Sequence, residues 1–187
     1  MRTKRWTRVE YDRLVDTGTF GPAERIELLG GVLVCREPQG SAHATAIRMA
    51  EEALRRAFTE GWDVRAQLPV ALDVESEPEP DVSVVPGSFR DYRHGHPSRA
   101  GLIVEIADTS LALDREDKGS LYARAGLADY WIINLVDHVL EVYRGPVADA
   151  GAPHGWRHAS LSTLRPGDLV TPLAAPHTSI PVSDLIP

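Results

Sequence analysis

The chain has 187 residues, of which 43% are hydrophobic and 25% are charged, and its formal net charge is −7. This length and composition favour one globular domain with its own core, and the acidic balance excludes a basic protein that coats nucleic acid. The single cysteine, Cys35, excludes an internal disulfide framework. Because the sequence carries neither an apolar run long enough to span a membrane nor a secretory signal, we expect a cytoplasmic protein without membrane contacts.

The first part of the chain predicts a helix and a hairpin. Thr7 and Glu10 have the spacing of a capping box, which predicts a short helix over residues 7–16. The segment RIELLGGVLVCRE, residues 25–37, predicts two short strands joined at its Gly-Gly pair.

The middle of the chain predicts a longer helix followed by strands. Ser41 is positioned to cap a helix over residues 42–59, where apolar residues recur on one face. Strands are predicted over residues 62–74, 81–86 and 101–107, and the last two are apolar runs typical of buried strands.

The remaining chain predicts one more helix and two more strands. Asp114 is positioned to cap a helix over residues 115–125. Strands over 130–136 and 138–144 follow, separated by a single residue. Residues 145–187 are rich in proline and are predicted to form loops and short strands packed on the core.

These elements predict a single domain of the α/β (α+β) class over residues 1–187, with a mixed sheet flanked by helices. Its core is expected over about 7–145, with residues 145–187 as an extension.

A row of alternating acids precedes one of the buried strands. In an extended chain alternate side chains lie on one side, so this row would present five carboxylates together. These residues are Asp73, Glu75, Glu77, Glu79 and Asp81. The first four are expected in a solvated turn. Asp81 differs because it opens an apolar strand, where a carboxylate is costly unless it is paired or holds a cation.

Glu105 and Lys118 extend this argument. Glu105 lies inside the apolar run GLIVEIA, and Lys118, one of only two lysines among 20 basic residues, is predicted on the apolar face of its helix. The two residues could form a plain buried ion pair. Alternatively, Asp81 and Glu105 could hold a hard divalent cation, with Lys118 beside the attacking water.

The motifs that carry these residues resemble those of the PD-(D/E)XK nuclease superfamily. More specifically, RIELLGGVLV, EPEPDVSVV, LIVEIADTS and DREDKGSLYARAGLADYWIINL resemble the Uma-two family of restriction-endonuclease-like proteins, over about residues 7–145. One position departs from the superfamily pattern. Its lysine stands two residues after the second acid, where this chain has Ala107, and the family resemblance places the lysine at Lys118 instead.

The resemblance implies a restriction-endonuclease-like fold and a Mg2+-dependent (or Mn2+-dependent) endonuclease that acts on DNA. It implies that Asp81, Glu105 and the backbone carbonyl of Ile106 bind the metal. Lys118 would orient or polarise the water that attacks the phosphodiester. Glu27 matches a family acid near the first strand and is a candidate metal ligand or supporting group, with an exposed hairpin acid as the alternative.

Other residues are candidates for supporting roles at the site or for contacts with nucleic acid. Gln67 and Tyr122 are candidates for orienting the site, and His43 is a candidate phosphate contact. The loop with Arg90, Arg93 and Arg99 is one of few basic segments and is a candidate nucleic-acid contact, with a solvated surface as the alternative.

Three functions are therefore compatible with the sequence. The first is a DNA endonuclease, for which cutting of both strands would suggest a homodimer. The second is a catalytically silent module that binds nucleic acid or protein on the same fold. The third is a metal-dependent phosphoesterase with another substrate.

Overall fold

The computed structural model describes residues 3–21, 24–36 and 38–187. In this part of the chain the strands are β1 (Ile26–Leu29), β2 (Val32–Cys35), β3 (Trp62–Ala66), β4 (Val82–Pro86), β5 (Leu102–Ala107), β6 (Asp129–Asn134), β7 (Val139–Ala148), β8 (Trp156–Leu164), β9 (Leu169–Val170) and β10 (Ile180–Pro181). The α-helices are α1 (Arg8–Asp16), α2 (Ser41–Ala57), α3 (Leu111–Leu113) and α4 (Gly119–Arg124). A π-helical turn, Asp114–Lys118, joins α3 to α4.

Six strands form one mixed sheet in the order β3-β4-β5-β6-β7-β8. Neighbouring strands are antiparallel except β5 and β6, which are parallel. A parallel pair needs a crossover connection, and this crossover contains the helical segment 111–124. Two short antiparallel pairs, β1 with β2 and β9 with β10, lie outside this sheet. The fold class predicted from the sequence is confirmed.

Two apolar cores cover the two faces of the sheet. Alternate residues of a strand point to opposite faces, so Val104 of β5 packs in the larger core with α2, whereas Ile103 packs in the smaller core with Tyr122. Trp131 and Tyr130 of β6 divide between the cores in the same way. Because both faces are covered, every residue of β5 and β6 is buried. A carboxylate on β5 is therefore removed from solvent by the fold itself.

The first helix and the hairpin form as the sequence predicts. The Thr7 hydroxyl accepts a hydrogen bond from the Glu10 N–H, and the Glu10 carboxylate accepts one from the Thr7 N–H. In the hairpin, Leu29 pairs with Val32 across the Gly-Gly turn. Residue 37, the last of the predicted hairpin segment, lies outside the described residues.

Two of the predicted helices have different boundaries in the structure. Helix α2 has Gly40 rather than Ser41 as its N-cap, and it ends at Ala57 because Phe58 turns to extended backbone. Helical backbone in the crossover begins at Leu111, so Asp114 lies inside the helical segment instead of capping it.

Two predicted strand boundaries were also wrong. The strand predicted over 62–74 ends at Ala66, because Gln67 has a φ of 52° and turns the chain out of the strand. The connection between β6 and β7 has four residues rather than one. The side-chain oxygen of Asn134 accepts hydrogen bonds from the N–H groups of Val136 and Asp137 and stabilises this turn.

The prediction of only loops and short strands after residue 145 was wrong. β7 continues to Ala148, and β8 is a nine-residue strand that pairs with β7 at the edge of the main sheet. Its sequence, WRHASLSTL, lacks an apolar run because most of its residues are exposed, which explains why the pattern did not reveal it. Further along, Val170, Ile180 and Val182 are buried in the larger core. Among the described residues, no helix has the combined length and apolar character that a bilayer crossing requires.

Candidate active site

A cavity of about 640 Å³ lies where the hairpin, α2, β5 and the helical segment 111–124 meet. Four carboxyl side chains in its lining are almost completely buried, each belonging to a residue no more than 2% exposed. They are Glu27, Asp81, Glu105 and Asp114. The side chains of Arg36, His43 and Lys118 also line the cavity.

The sheet register places the two main acids side by side. Val82 pairs with Val104, so Asp81 and Glu105 come next in the antiparallel ladder and share a face. The Asp81 N–H donates a hydrogen bond to Glu105 Oε2 at 3.3 Å, and Asp81 Oδ2 accepts one from the Ile106 N–H at 2.9 Å. The relative position of the two carboxylates is therefore fixed by backbone contacts.

Lys118 bridges two of the acids from the crossover. Its Nζ lies 3.0 Å from Glu27 Oε1 and 3.1 Å from Glu105 Oε1, and the residue is 3% exposed. One turn further on, the Tyr122 hydroxyl donates to Glu105 Oε1 at 2.6 Å. Glu27 reaches this cluster from β1 and also accepts the Glu79 N–H. The structure thus brings together Asp81, Glu105, Lys118, Glu27 and Tyr122.

Asp81 is also contacted from the hairpin and from α2. Arg36 Nη2 lies 2.6 Å from Asp81 Oδ1, and Arg36 Nη1 donates to the Glu79 carbonyl at 2.7 Å. His43 Nε2 lies 3.2 Å from Asp81 Oδ2, although its N–H direction does not meet hydrogen-bond geometry. His43 therefore lines the cavity beside the Asp81 carboxylate, and its role as a phosphate contact stays a prediction.

The two central acids differ in their affinity for protons. Burial raises the pKa of Glu105 to about 8, which the charge of Lys118 opposes and that of Asp81 reinforces. Burial also acts to raise the pKa of Asp81, but contacts from His43, Arg36 and the Ile106 N–H outweigh it and lower the pKa to about 2. At neutral pH Asp81 is ionised, whereas Glu105 retains a proton for much of the time.

Lys118 remains charged despite its burial. Burial alone would lower the pKa of Lys118, but the nearby charges of Glu105, Glu27 and Asp114 outweigh it and raise the pKa. Asp114 shows the opposite balance, because burial raises its pKa although Lys118 and a hydrogen bond from Ser110 lower it. The cluster therefore holds more acidic groups than cations, and protons offset part of the difference.

This donor set fits a hard divalent cation in its chemistry. Carboxylate oxygens are ligands that Mg2+ prefers, and the four buried carboxyl groups share the cavity lining with two permanent cations, Arg36 and Lys118. Within residues 3–21, 24–36 and 38–187, no three His, Cys, Asp or Glu side chains converge on one metal position. Asp81 and Glu105, which are neighbours in the sheet register, therefore offer two carboxylates rather than a complete set of ligands.

Two residues of this cluster were missed by sequence reasoning. Arg36 carried no local signal, because its partner Asp81 is 45 residues away and the contact depends on how the hairpin packs. Asp114 was noticed only as a helix cap. Its position four residues before Lys118 places both on one helical face, and that spacing could have identified it.

Other predicted residues lie outside the cavity. Gln67 contacts the backbone of Asp81, whose carbonyl accepts the Gln67 N–H at 3.0 Å, rather than its carboxylate. Arg90, Arg93 and Arg99 are exposed in the segment after β4, which leaves that strand at the end remote from Asp81. None of these four residues lines the cavity.

The alternating acids do not form an extended row. An isolated bridge between Asp73 and Ser76 folds the chain back, so the carboxylates do not lie on one side. Each acid instead has an arginine partner, and the expected solvated turn does not hold for Glu77, which is buried. The pairs are Asp73 with Arg124, Glu75 with Arg5, Glu77 with Arg8, Glu79 with Arg25, and Asp81 with Arg36.

The chain also resembles known proteins. Residues 8–183 match the model of the Uma2 (Uma-two) family, described as "Putative restriction endonuclease". The chain belongs to the Uma2 family. The family resemblance seen in the motifs is therefore confirmed, and the description of the Uma2 family supports a nuclease-like function.

A solved structure shares the fold of this Uma2 chain. It is a putative nuclease belonging to DUF820 from Anabaena variabilis, 14% identical, with a TM-score of 0.66 over 92% of this chain and 96% of that chain. At this identity the likeness concerns the fold alone. A search of curated proteins finds no match to the chain.

Proposed function

We propose that this Uma2 protein is a metal-dependent endonuclease that hydrolyses DNA phosphodiester bonds. The observation that carries the proposal is the convergence of Asp81, Glu105 and the Lys118 ammonium in one cavity, with Lys118 Nζ 3.1 Å from Glu105. A cluster of two buried acids and a charged amine with a purely structural role would not have to line a cavity. Their position in its lining gives a substrate access to them.

Each residue has a distinct part in this proposal. The Asp81 and Glu105 carboxylates, with the Ile106 carbonyl, would hold Mg2+ or Mn2+. When bound, the cation would act as a Lewis acid and lower the pKa of a bound water. Lys118 is held by Glu27 and Glu105 and directs its charge towards the attacking water and the phosphate. Tyr122 orients Glu105 through its 2.6 Å hydrogen bond.

The excess of acid in the cluster supports the choice of a dication. Glu105 retains a proton near neutral pH because burial raises its pKa to about 8. A cation at Asp81 and Glu105 would replace that proton and favour the ionised carboxylate. A silent ion-pair cluster would gain nothing from an acidic group in excess of its cations.

Supercoiled plasmid DNA with Mg2+ or Mn2+ tests the proposal. The purified protein is expected to nick or cut it, and Asp81→Asn, Glu105→Gln and Lys118→Met are each expected to reduce the rate by about a hundredfold or more. Glu116→Gln is the matched control, because Glu116 is exposed on the same helical segment and lies outside the cavity. Equal cleavage by wild type and Glu105→Gln would show that another protein or another site cuts the DNA.

Metal binding separates the alternatives. Calorimetry with Mn2+ is expected to show binding that Asp81→Asn abolishes. Binding without DNA cleavage would favour a phosphoesterase with another substrate, and no Asp81-dependent binding would favour the silent module. Phosphate contacts by Arg90, Arg93 and Arg99, a homodimer and a cytoplasmic location stay predictions.

A further inference from the structure

Arg36 is a cation of the cavity with no part in the function proposed above. It follows β2, and its N–H donates to the Arg25 carbonyl at 2.8 Å, which closes the open end of the hairpin. Its side chain is 11% exposed and enters the cavity. The guanidinium contacts Asp81 Oδ1 at 2.6 Å and the Glu79 carbonyl at 2.7 Å.

This contact occupies an oxygen that the proposed cation needs. Asp81 Oδ1 faces the guanidinium, and Asp81 Oδ2 already accepts the Ile106 N–H. A guanidinium does not lose its proton in proteins, so it can relinquish Asp81 only by moving as a cation. Two cations on one oxygen repel each other strongly in a buried site. Arg36 and a divalent cation therefore compete for Asp81.

The chemistry of the displaced side chain indicates where it would bind. A guanidinium presents a planar fork of N–H donors that matches two oxygens of a phosphate. Arg36 already lies in the cavity where the phosphodiester would react, and the Glu79 carbonyl gives it a second anchor that does not depend on Asp81. β1 is anchored to the segment before β4 by the bridge between Leu28 and Glu77, whereas Arg36 lies just beyond the end of β2. Its side chain can therefore shift while the backbone of the hairpin, β4 and β5 keeps its contacts.

We infer that Arg36 is a phosphate-binding residue that is held on Asp81 until a divalent cation displaces it. This inference rests on the proposed function. It assigns Arg36 two alternating partners: the Asp81 carboxylate without metal, and the substrate phosphate with metal. Loading of the cation and binding of the phosphate are thereby coupled through one side chain.

The test compares Arg36→Gln with wild type in two measurements. Calorimetry with Mn2+ alone is expected to show binding about tenfold to a hundredfold tighter in Arg36→Gln, because the competing charged hydrogen bond is gone. In saturating Mn2+, anisotropy with a short phosphorothioate duplex, which resists hydrolysis, is expected to show binding about tenfold weaker. Arg36→Lys keeps the charge without the fork and is expected to lie between the two proteins in both measurements.

Arg25→Gln is the matched control. Arg25 lies at the same end of the hairpin and pairs with Glu79 at 3.4 Å, but it does not line the cavity. It is expected to leave the affinity for Mn2+ unchanged. Circular dichroism melting of each variant identifies any that is unfolded, and Arg36→Lys then replaces Arg36→Gln in the comparison.

The outcomes separate this inference from the proposed function. Asp81-dependent Mn2+ binding in wild type that is unchanged or weaker in Arg36→Gln overturns the competition and leaves the metal site intact. Tighter Mn2+ binding with unchanged duplex affinity overturns the assignment to phosphate. Mn2+ binding that appears only in Arg36→Gln supports the competition. No Mn2+ binding in either protein overturns both proposals.

Discussion

Replacing Lys118 with methionine removes the cation that lies between Glu27 and Glu105 and keeps a side chain of similar volume. Both carboxyl groups lie within 3.1 Å of the ammonium, and each belongs to a residue that is 1% exposed. Removing one member of a buried ion pair typically costs about 3–5 kcal/mol, because the remaining charge is buried without a partner. We therefore expect Lys118→Met to lower the free energy of unfolding by an amount in this range, or less.

Proton uptake limits the loss and makes it depend on pH. A carboxyl group with an ordinary pKa of 4.5 in the unfolded chain can stay protonated in the folded variant. That protonation costs about 1.4 kcal/mol for each pH unit above 4.5. The limit is about 3.5 kcal/mol at pH 7 and about 1.4 kcal/mol at pH 5.5 for each carboxyl group that Lys118 keeps ionised in the wild type. Because the folded pKa lies above the unfolded one, the loss is small in acid and grows as the pH rises.

Urea unfolding followed by tryptophan fluorescence measures this loss, since Trp131 is completely buried and reports on the core. Wild type, Lys118→Met and the double variant Glu27→Gln/Lys118→Met are compared at pH 5.5 and 7.5. The double variant has one buried carboxyl group fewer and is expected to recover about half of the loss or more at pH 7.5. An equal loss at both pH values, or a double variant less stable than Lys118→Met, would refute this reasoning.

Two further predictions concern single buried side chains. Tyr122→Phe removes a hydrogen bond to Glu105 and is expected to lower the free energy of unfolding by about 1–2 kcal/mol in urea melts. Tyr143→Phe removes a 2.7 Å hydrogen bond to the Glu141 carboxylate outside the cavity, and it serves as the reference for losing a tyrosine hydroxyl elsewhere in the fold. A loss below about 0.3 kcal/mol for Tyr122→Phe would contradict the assigned contact with Glu105. Burial raises the pKa of Glu77 from 4.5 to about 7, so this carboxyl group destabilises the fold progressively as the pH rises from 4.5 and has its full effect above about pH 7. Glu77→Gln is expected to be more stable than wild type by about 1–3 kcal/mol at pH 8, with the difference vanishing below about pH 4.5; a difference of equal size at pH 4 and 8 would contradict it.

The positions of the central acids were accessible from the sequence because burial follows from local pattern. Asp81 directly precedes the apolar strand β4 and Glu105 lies within β5, and strands covered on both faces bury almost all of their side chains. Lys118 and Tyr122 followed from helical spacing, since residues four apart share a face. Local rules of periodicity were sufficient for these four residues.

The parts that could not be predicted depend on long-range packing. The contact of Arg36 with Asp81 joins the small hairpin sheet to the main sheet, and nothing in either segment specifies how they dock. The strand β8 was missed because its residues are polar and its stability comes from pairing with β7 rather than from an apolar run. The helical start at Leu111 was missed because Asp114 looks like a cap, whereas its carboxylate binds the Ser110 hydroxyl.

The displaced lysine has a structural explanation in Ala107. The superfamily pattern that the motifs resemble has its lysine at this position, two residues after Glu105 and on the same face of β5. Here Ala107 is completely buried in the smaller core, and Tyr122 packs in that same core. A lysine at residue 107 would place a longer, charged side chain in this apolar core, whereas alanine fits among the aromatic and aliphatic side chains that fill it.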